Sequence, residues 1–155
     1  MALELNSGRI GDDANSPPGS IEGASKTILV VDDEMPILTV TGIMLRARGY
    51  RVMKASSVQE ALEFLRGGQG NVDLVITDIN MPGRNGVDLI QQIRSCQPVP
   101  KVIASSGNEE FEQAESLASL GVSALLIKPF TKGMLLEAVH CAMDESQSAY
   151  RVLRR

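Results

Sequence analysis

VDLVITDINMP, residues Val72 to Pro82, is an apolar run that stops at an acid, Asp78, and then breaks into a loop. Leu74, Val75 and Ile76 follow one another without polar alternation, the pattern of a central parallel strand covered on both faces. Asp73 and Asp78 bound the run too closely for a helix, and Pro82-Gly83 supplies a turn. Asp78 therefore stands where a strand ends. In open α/β sheets, ligands bind beyond the carboxyl ends of the strands, where neighbouring connections leave for opposite faces. An acid in that place is a candidate site residue on position alone.

The same unit recurs on both sides of this stretch. Upstream, Thr27 to Val31 is β-branched and apolar and runs directly into Asp32-Asp33. Glu34 to Arg48 then places Ile37, Leu38, Thr41, Met44 and Leu45 on one helical face, with Pro36 in the first turn and Gly49 as the stop. Tyr50 to Ala55 is the next strand, and Ser57-x-x-Glu60 reads as a capping box before a helix closed by Gly67-Gly68. Downstream, a helix over Val87 to Ser95 leads to a strand over Lys101 to Ser105. An amphipathic helix over Glu109 to Leu120 precedes a strand over Ala124 to Ile127, and a last helix runs from about Thr131 to Asp144.

Five strands alternating with five helices predict an α/β, doubly wound parallel sheet joined by right-handed crossovers. Of the two common strand orders, five strands fit 2-1-3-4-5, which sets the first strand beside the third. That adjacency brings Asp32 and Asp33 to Asp78. Residues 1–25, rich in Gly, Ser, Asn and Asp with a Pro17-Pro18 pair, read as a disordered N-terminal tail. Residues 26–145 form the domain, and residues 146–155 are expected to be a helix end or tail.

Composition excludes several classes. A net charge of −4 and a pI near 5.0 give no general attraction to nucleic acid or to an anionic membrane. No Trp and 3% aromatic residues leave no stacking platform for single strands. Cys96 and Cys141 have neither CxxC nor metal spacing, and no secretory leader or membrane-spanning run is present, so a reduced, cytoplasmic setting is expected. His140 reads as a surface side chain of the last helix, and Arg151, Arg154 and Arg155 as a solvated end.

Three carboxylates at one sheet edge repel one another and raise at least one pKa unless a cation joins them. With oxygen ligands only and no His or Cys nearby, Mg²⁺ or a similar hard ion is the fitting cation. Ser106 ends the fourth strand and Lys128 the fifth, so both belong over the same crevice. A hydroxyl donor and an ammonium suit a phosphoryl group, which needs neutralisation and positioning. Asp78, central in the group, is placed to be the nucleophile that forms an acyl phosphate.

Asp32-Asp33, then Asp78-x-Asn80-Met81-Pro82-Gly83, then Ser106-Gly107, then Lys128-Pro129-Phe130, each at a strand end, together resemble the receiver domain of two-component response regulators. The resemblance covers about Lys26 to Met143 and implies a flavodoxin-like receiver fold. It implies that Asp78 accepts phosphate from a histidine kinase or histidine phosphotransfer protein, and that Asp33, Asp78 and the Asn80 backbone carbonyl hold Mg²⁺, with Asp32 acting through a water. Ser106 and Lys128 would bind phosphoryl oxygens, with Gly107 giving the loop its freedom, and the Lys128-Pro129 peptide would be cis. A downstream partner would meet the face made by the fourth helix, fifth strand and fifth helix. Two positions depart from the family pattern. Leu125 stands where many receivers carry an aromatic that changes rotamer on activation, and Ser106 replaces the commoner threonine. Phosphorylation is expected to survive and its readout to differ.

The reading that follows is a stand-alone phosphoacceptor switch and not an enzyme acting on a separate substrate. The runner-up is a pseudo-receiver that binds partners without phosphorylation. A small aspartyl-phosphate phosphohydrolase is less suited, because Asn80 occupies the place of its second acid and cannot exchange protons in that way. A flavin-binding module of the same topology would need a glycine-rich phosphate cradle after the first strand, where this chain is acidic.

Overall fold

The computed structural model describes residues 26–68, 70–107, 114–146 and 149–155. The expected N-terminal tail and the start of the fourth helix lie outside the described residues.

Strands β1 (Thr27–Val31), β2 (Arg51–Ala55), β3 (Leu74–Asp78), β4 (Lys101–Ser106) and β5 (Ala124–Ile127) alternate with helices α1 (Met35–Arg46), α2 (Val58–Arg66), α3 (Gly86–Ile93), α4 (Ala114–Ser119) and α5 (Lys132–Met143). A sixth strand, β6 (Arg151–Leu153), follows. The sheet is parallel throughout, in the order β2-β1-β3-β4-β5-β6. The predicted order of the first five strands holds, and the five-stranded expectation is corrected to six. Residues expected to be a helix end or tail place Val152 and Leu153 against opposite faces of the sheet, and this half-burial makes a strand of them.

The uninterrupted apolar strands are explained by burial on both faces. Val75 and Val102 belong to one core cluster under α2, α3 and α4, while Ile76 and Ile103 belong to a second under α1 and α5. Every residue of β3 is buried. Local chemistry sets the helix ends. Ser57, Asn85 and Thr131 cap α2, α3 and α5 by accepting from the backbone N–H three residues on. Glu60 reaches back past the cap to accept from the N–H and hydroxyl of Ser56, so the capping box closes one residue earlier than the sequence pattern implies. Gly49, with φ of 87°, turns the chain from α1 into β2.

α1 and α5 share one face of the sheet, and α2, α3 and α4 the other. The step β1-α1-β2 runs one way along the sheet, and the three steps through α2, α3 and α4 run the other way over the opposite face, so all four have one hand. The step β5-α5-β6 continues in the second direction but with its helix on the first face. Its hand is opposite to the rest.

Candidate functional site

The site is assembled from strand ends. Asp78 is the last residue of β3, Ser106 the last of β4, and Asp32 and Lys128 each follow the last residue of β1 and β5. Backbone bonds carry the ladder one step further: Asp32 N–H donates to Ala55 O at 3.1 Å, Ile79 N–H to Ser105 O at 3.0 Å, and Lys128 N–H to Ser106 O at 2.7 Å. These bonds hold the side chains on a rigid edge, which is where precise positioning is available.

Lys128 Nζ lies 2.8 Å from Asp32 Oδ2 and 2.9 Å from Asp78 Oδ2, with Glu34 Oε1 at 3.6 Å. Asp32 and Asp78 are buried, at 2% and 4% exposure. Each also accepts a backbone donor through its other oxygen: Glu34 N–H to Asp32 Oδ1 and Asn80 N–H to Asp78 Oδ1, both at 2.9 Å. Asp33 is exposed, yet one carboxylate oxygen from each of Asp32, Asp33 and Asp78 can be enclosed within 4.8 Å. Ser106 is fully buried, and its hydroxyl donates to Gly107 O at 3.0 Å. Asn80 lies exposed in the loop after β3. The Lys128–Pro129 peptide is cis.

The electrostatics have one reading. Burial raises the Asp32 carboxyl above its ordinary 3.8, and the bonds from Lys128 and the Glu34 N–H only partly oppose this. Burial alone would lower Lys128, but its bonds to Asp32 and Asp78 outweigh that, and it titrates above its ordinary 10.5. Both shifts favour the more positive form. A single ammonium serves more than one buried carboxylate, so the pocket favours a further cation. Its donors are oxygens, which fit Mg²⁺ or a similar hard ion.

The sequence-predicted residues thus converge: Asp32, Asp33, Asp78 and Lys128 form one cluster, with Ser106 on the neighbouring strand end. Leu125 is not among them. It lies fully buried in the sheet, between Ala104 of β4 and Val152 of β6. Sequence reasoning missed Gly86, the first residue of α3. A Cβ there would collide with the carbonyl oxygen of Asp78 and lie 2.8 Å from Ile79 Cα. The Asn85-Gly86 pair before a helix was the available signal.

Residues 28–140 match the family model described as the response regulator receiver domain. The chain belongs to the response regulator receiver family. This receiver is 34% identical over 122 residues to the transcriptional regulatory protein GlrR of Escherichia coli K12, a match that covers 79% of this chain and 27% of that protein. It is 36% identical over 115 residues to the sensor kinase CckA of Brucella abortus, covering 74% of this chain and 12% of the relative. The receiver therefore spans only a part of these curated relatives. Among solved structures, a response regulator receiver domain protein from Clostridium thermocellum superposes with a TM-score of 0.72 at 32% identity, over 78% of this chain and 96% of that one. A receiver protein from Pseudomonas putida gives 0.68 at 34% identity, over 74% and 95%.

Proposed function

We propose that Asp78 is the phosphoacceptor of a Mg²⁺-dependent switch, charged by a histidine kinase or a histidine phosphotransfer protein. The observation that carries the reading is Lys128 Nζ held 2.9 Å from Asp78 Oδ2 beside an acid cluster able to enclose a cation. In the reaction an Asp78 oxygen attacks phosphorus, the P–N bond of the donor phosphohistidine breaks, and the imidazole nitrogen leaves with its electron pair. Lys128 neutralises charge on the transferring oxygens, and Ser106 turns its hydroxyl from Gly107 O towards them. Asp32, Asp33, Asp78 and the backbone carbonyl of Asn80 are the residues to hold the ion. When bound, it neutralises the carboxylates and the incoming phosphoryl oxygens.

A protein donor is supported by the surface beside the site. A cleft of about 330 Å³, lined by Ile37, Val40, Met44, Pro129 and Phe130, opens next to Glu34 and Lys128. Met35, Val40 and Ile43 of α1 are exposed at 61%, 49% and 60%. Of these Val40 lines the cleft, and an exposed apolar cleft beside a reactive group marks an interaction surface. The location is proposed to be cytoplasmic; no helix among the described residues is long and apolar enough to cross a membrane.

Incubation with Mg²⁺ and acetyl phosphate or phosphoramidate, followed by intact mass, tests the reading. Wild type should gain one phosphoryl group that requires Mg²⁺, and Asp78→Asn should gain none. No adduct in wild type, together with no beryllofluoride binding, would end the phosphoacceptor reading.

A further inference from the structure

β6 is the strand that the doubly wound plan does not require, and it lies on the outer edge of β5. Three features make it the weakest part of the sheet. The crossover that delivers it has the opposite hand to the other four, and a left-handed parallel crossover is rare, about 2% of cases, because a twisted strand and its helix pack poorly that way. It is three residues long, with Val152 and Leu153 only half-buried. Its bond from Arg151 N–H to Ser123 O is long, at 3.4 Å, and the Arg151–Glu137 pair, at 3.9 Å between exposed side chains, adds little.

β6 nevertheless touches the element that carries Lys128. Ala104, Leu125 and Val152 stand side by side across β4, β5 and β6 and point into the same core cluster. Strand alternation puts Ser106 on that face too, two residues beyond Ala104 and beside Ile127. Leu125 is therefore walled by a methyl group on one side and by β6 on the other.

We propose that the outer edge of β5 is a strand-binding surface, filled at rest by residues 151–153 of the same chain, and that phosphorylation of Asp78 releases them. The second half rests on the phosphoacceptor reading. When Ser106 turns from Gly107 O to the phosphoryl group, space opens on the α4 side of β4 and β5. Ile127, the residue beside Ser106, moves into it, Leu125 follows two residues along the same face, and Val152 loses its wall. The bared edge offers unpaired N–H and C=O groups to an extended segment of a partner, parallel to β5, with an apolar residue on each face as in Val152 and Leu153. Readout by strand exchange takes the place of an aromatic rotamer at position 125.

The test is amide hydrogen exchange on the full ¹⁵N-labelled chain, with and without Mg²⁺ and beryllofluoride, and binding of a labelled peptide of residues 149–155. At rest, β6 should exchange faster than β1 and β3. Loading should lower protection at Arg151–Leu153 by roughly tenfold or more, and only the loaded protein should bind the peptide. Beryllofluoride-loaded protein with β6 protection unchanged or increased overturns the coupling. Should beryllofluoride not bind at all, the phosphoacceptor reading and the coupling fall together, and the strand edge is judged on Val152→Asp. That variant should expose the β5 edge amides and bind the peptide; a folded variant that does not bind it overturns the strand-binding surface. Should the variant unfold, wild-type β6 exchanging as slowly as β3 overturns it equally.

Discussion

Lys128 Nζ bridges to Asp78 Oδ2 at 2.9 Å across 50 residues of sequence, and the same ammonium bonds Asp32 Oδ2 at 2.8 Å. The lysine is the cation that neutralises both buried carboxylates, so it supports the fold, and a divalent ion drawn to the same acid cluster would meet its charge. In Lys128→Met two buried carboxylates lose their cation. Without Mg²⁺ the variant should be less stable by about 3–5 kcal/mol, the range for removing one partner of a buried pair. Mg²⁺ should bind roughly tenfold tighter, because a competing charge is gone. Urea unfolding and Mg²⁺ titration of the two proteins decide it; equal affinities would mean that the ammonium does not oppose the ion.

Ser106 is fully buried at the end of β4, and its partner Gly107 O is one residue away. In the proposed transfer that hydroxyl donates to the developing charge. Ser106→Ala should change stability by less than about 1 kcal/mol, the net worth of an ordinary hydrogen bond. It should slow phosphorylation by acetyl phosphate on the order of a hundredfold, the usual loss when one preorganised donor is removed. A variant phosphorylated as fast as wild type would remove Ser106 from the reaction.

Much of this architecture is legible in the chain because its strands are short apolar runs with an acid, a hydroxyl or a lysine at the end. Ile28 to Val31 and Leu74 to Thr77 need cover on both faces, and that need alone sets a parallel sheet with helices on either side. Once β1 neighbours β3, Asp32 and Asp78 must meet, and Lys128 joins them from β5. What is hidden depends on tertiary contact. Arg151-Val-Leu is too short for a period, and it becomes a strand only because the β5 edge is free to receive it. Gly86 looks like any glycine before a helix until the carbonyl of Asp78 is seen against its Cα.

Gly86 turns that close approach into a prediction. Gly86→Ala would drive a methyl group into the Asp78 carbonyl and to 2.9 Å from its carbonyl carbon, both backbone atoms at the end of a central strand. Nothing flexible can yield, so the loop or the N-terminus of α3 must move. The expected loss is about 1–3 kcal/mol, as for other overpacked sites. Because the displaced atoms carry Asp78 itself, Mg²⁺ affinity and phosphorylation should fall in the same variant. A thermal melt and Mg²⁺ titration check this, and wild-type values for both would show that the loop has room.

The Asp32 carboxyl supplies a pH dependence whose sign changes with the metal. Burial raises its pKa above 3.8, with Lys128 and the Glu34 N–H pulling the other way. A raised folded pKa means that the native state holds the proton more tightly than the unfolded chain does. In metal-free protein the stability from this group is complete below 3.8 and is lost as pH rises through the folded value. Mg²⁺ selects the ionised carboxylate, so its affinity should climb across the same window and binding should release a proton. Isothermal titration at about pH 5 in two buffers of different ionisation enthalpy measures that release. In Asp32→Asn the released fraction should drop, since the carboxyl whose pKa burial raises is gone. Proton release unchanged by the substitution would place the titrating group elsewhere in the site.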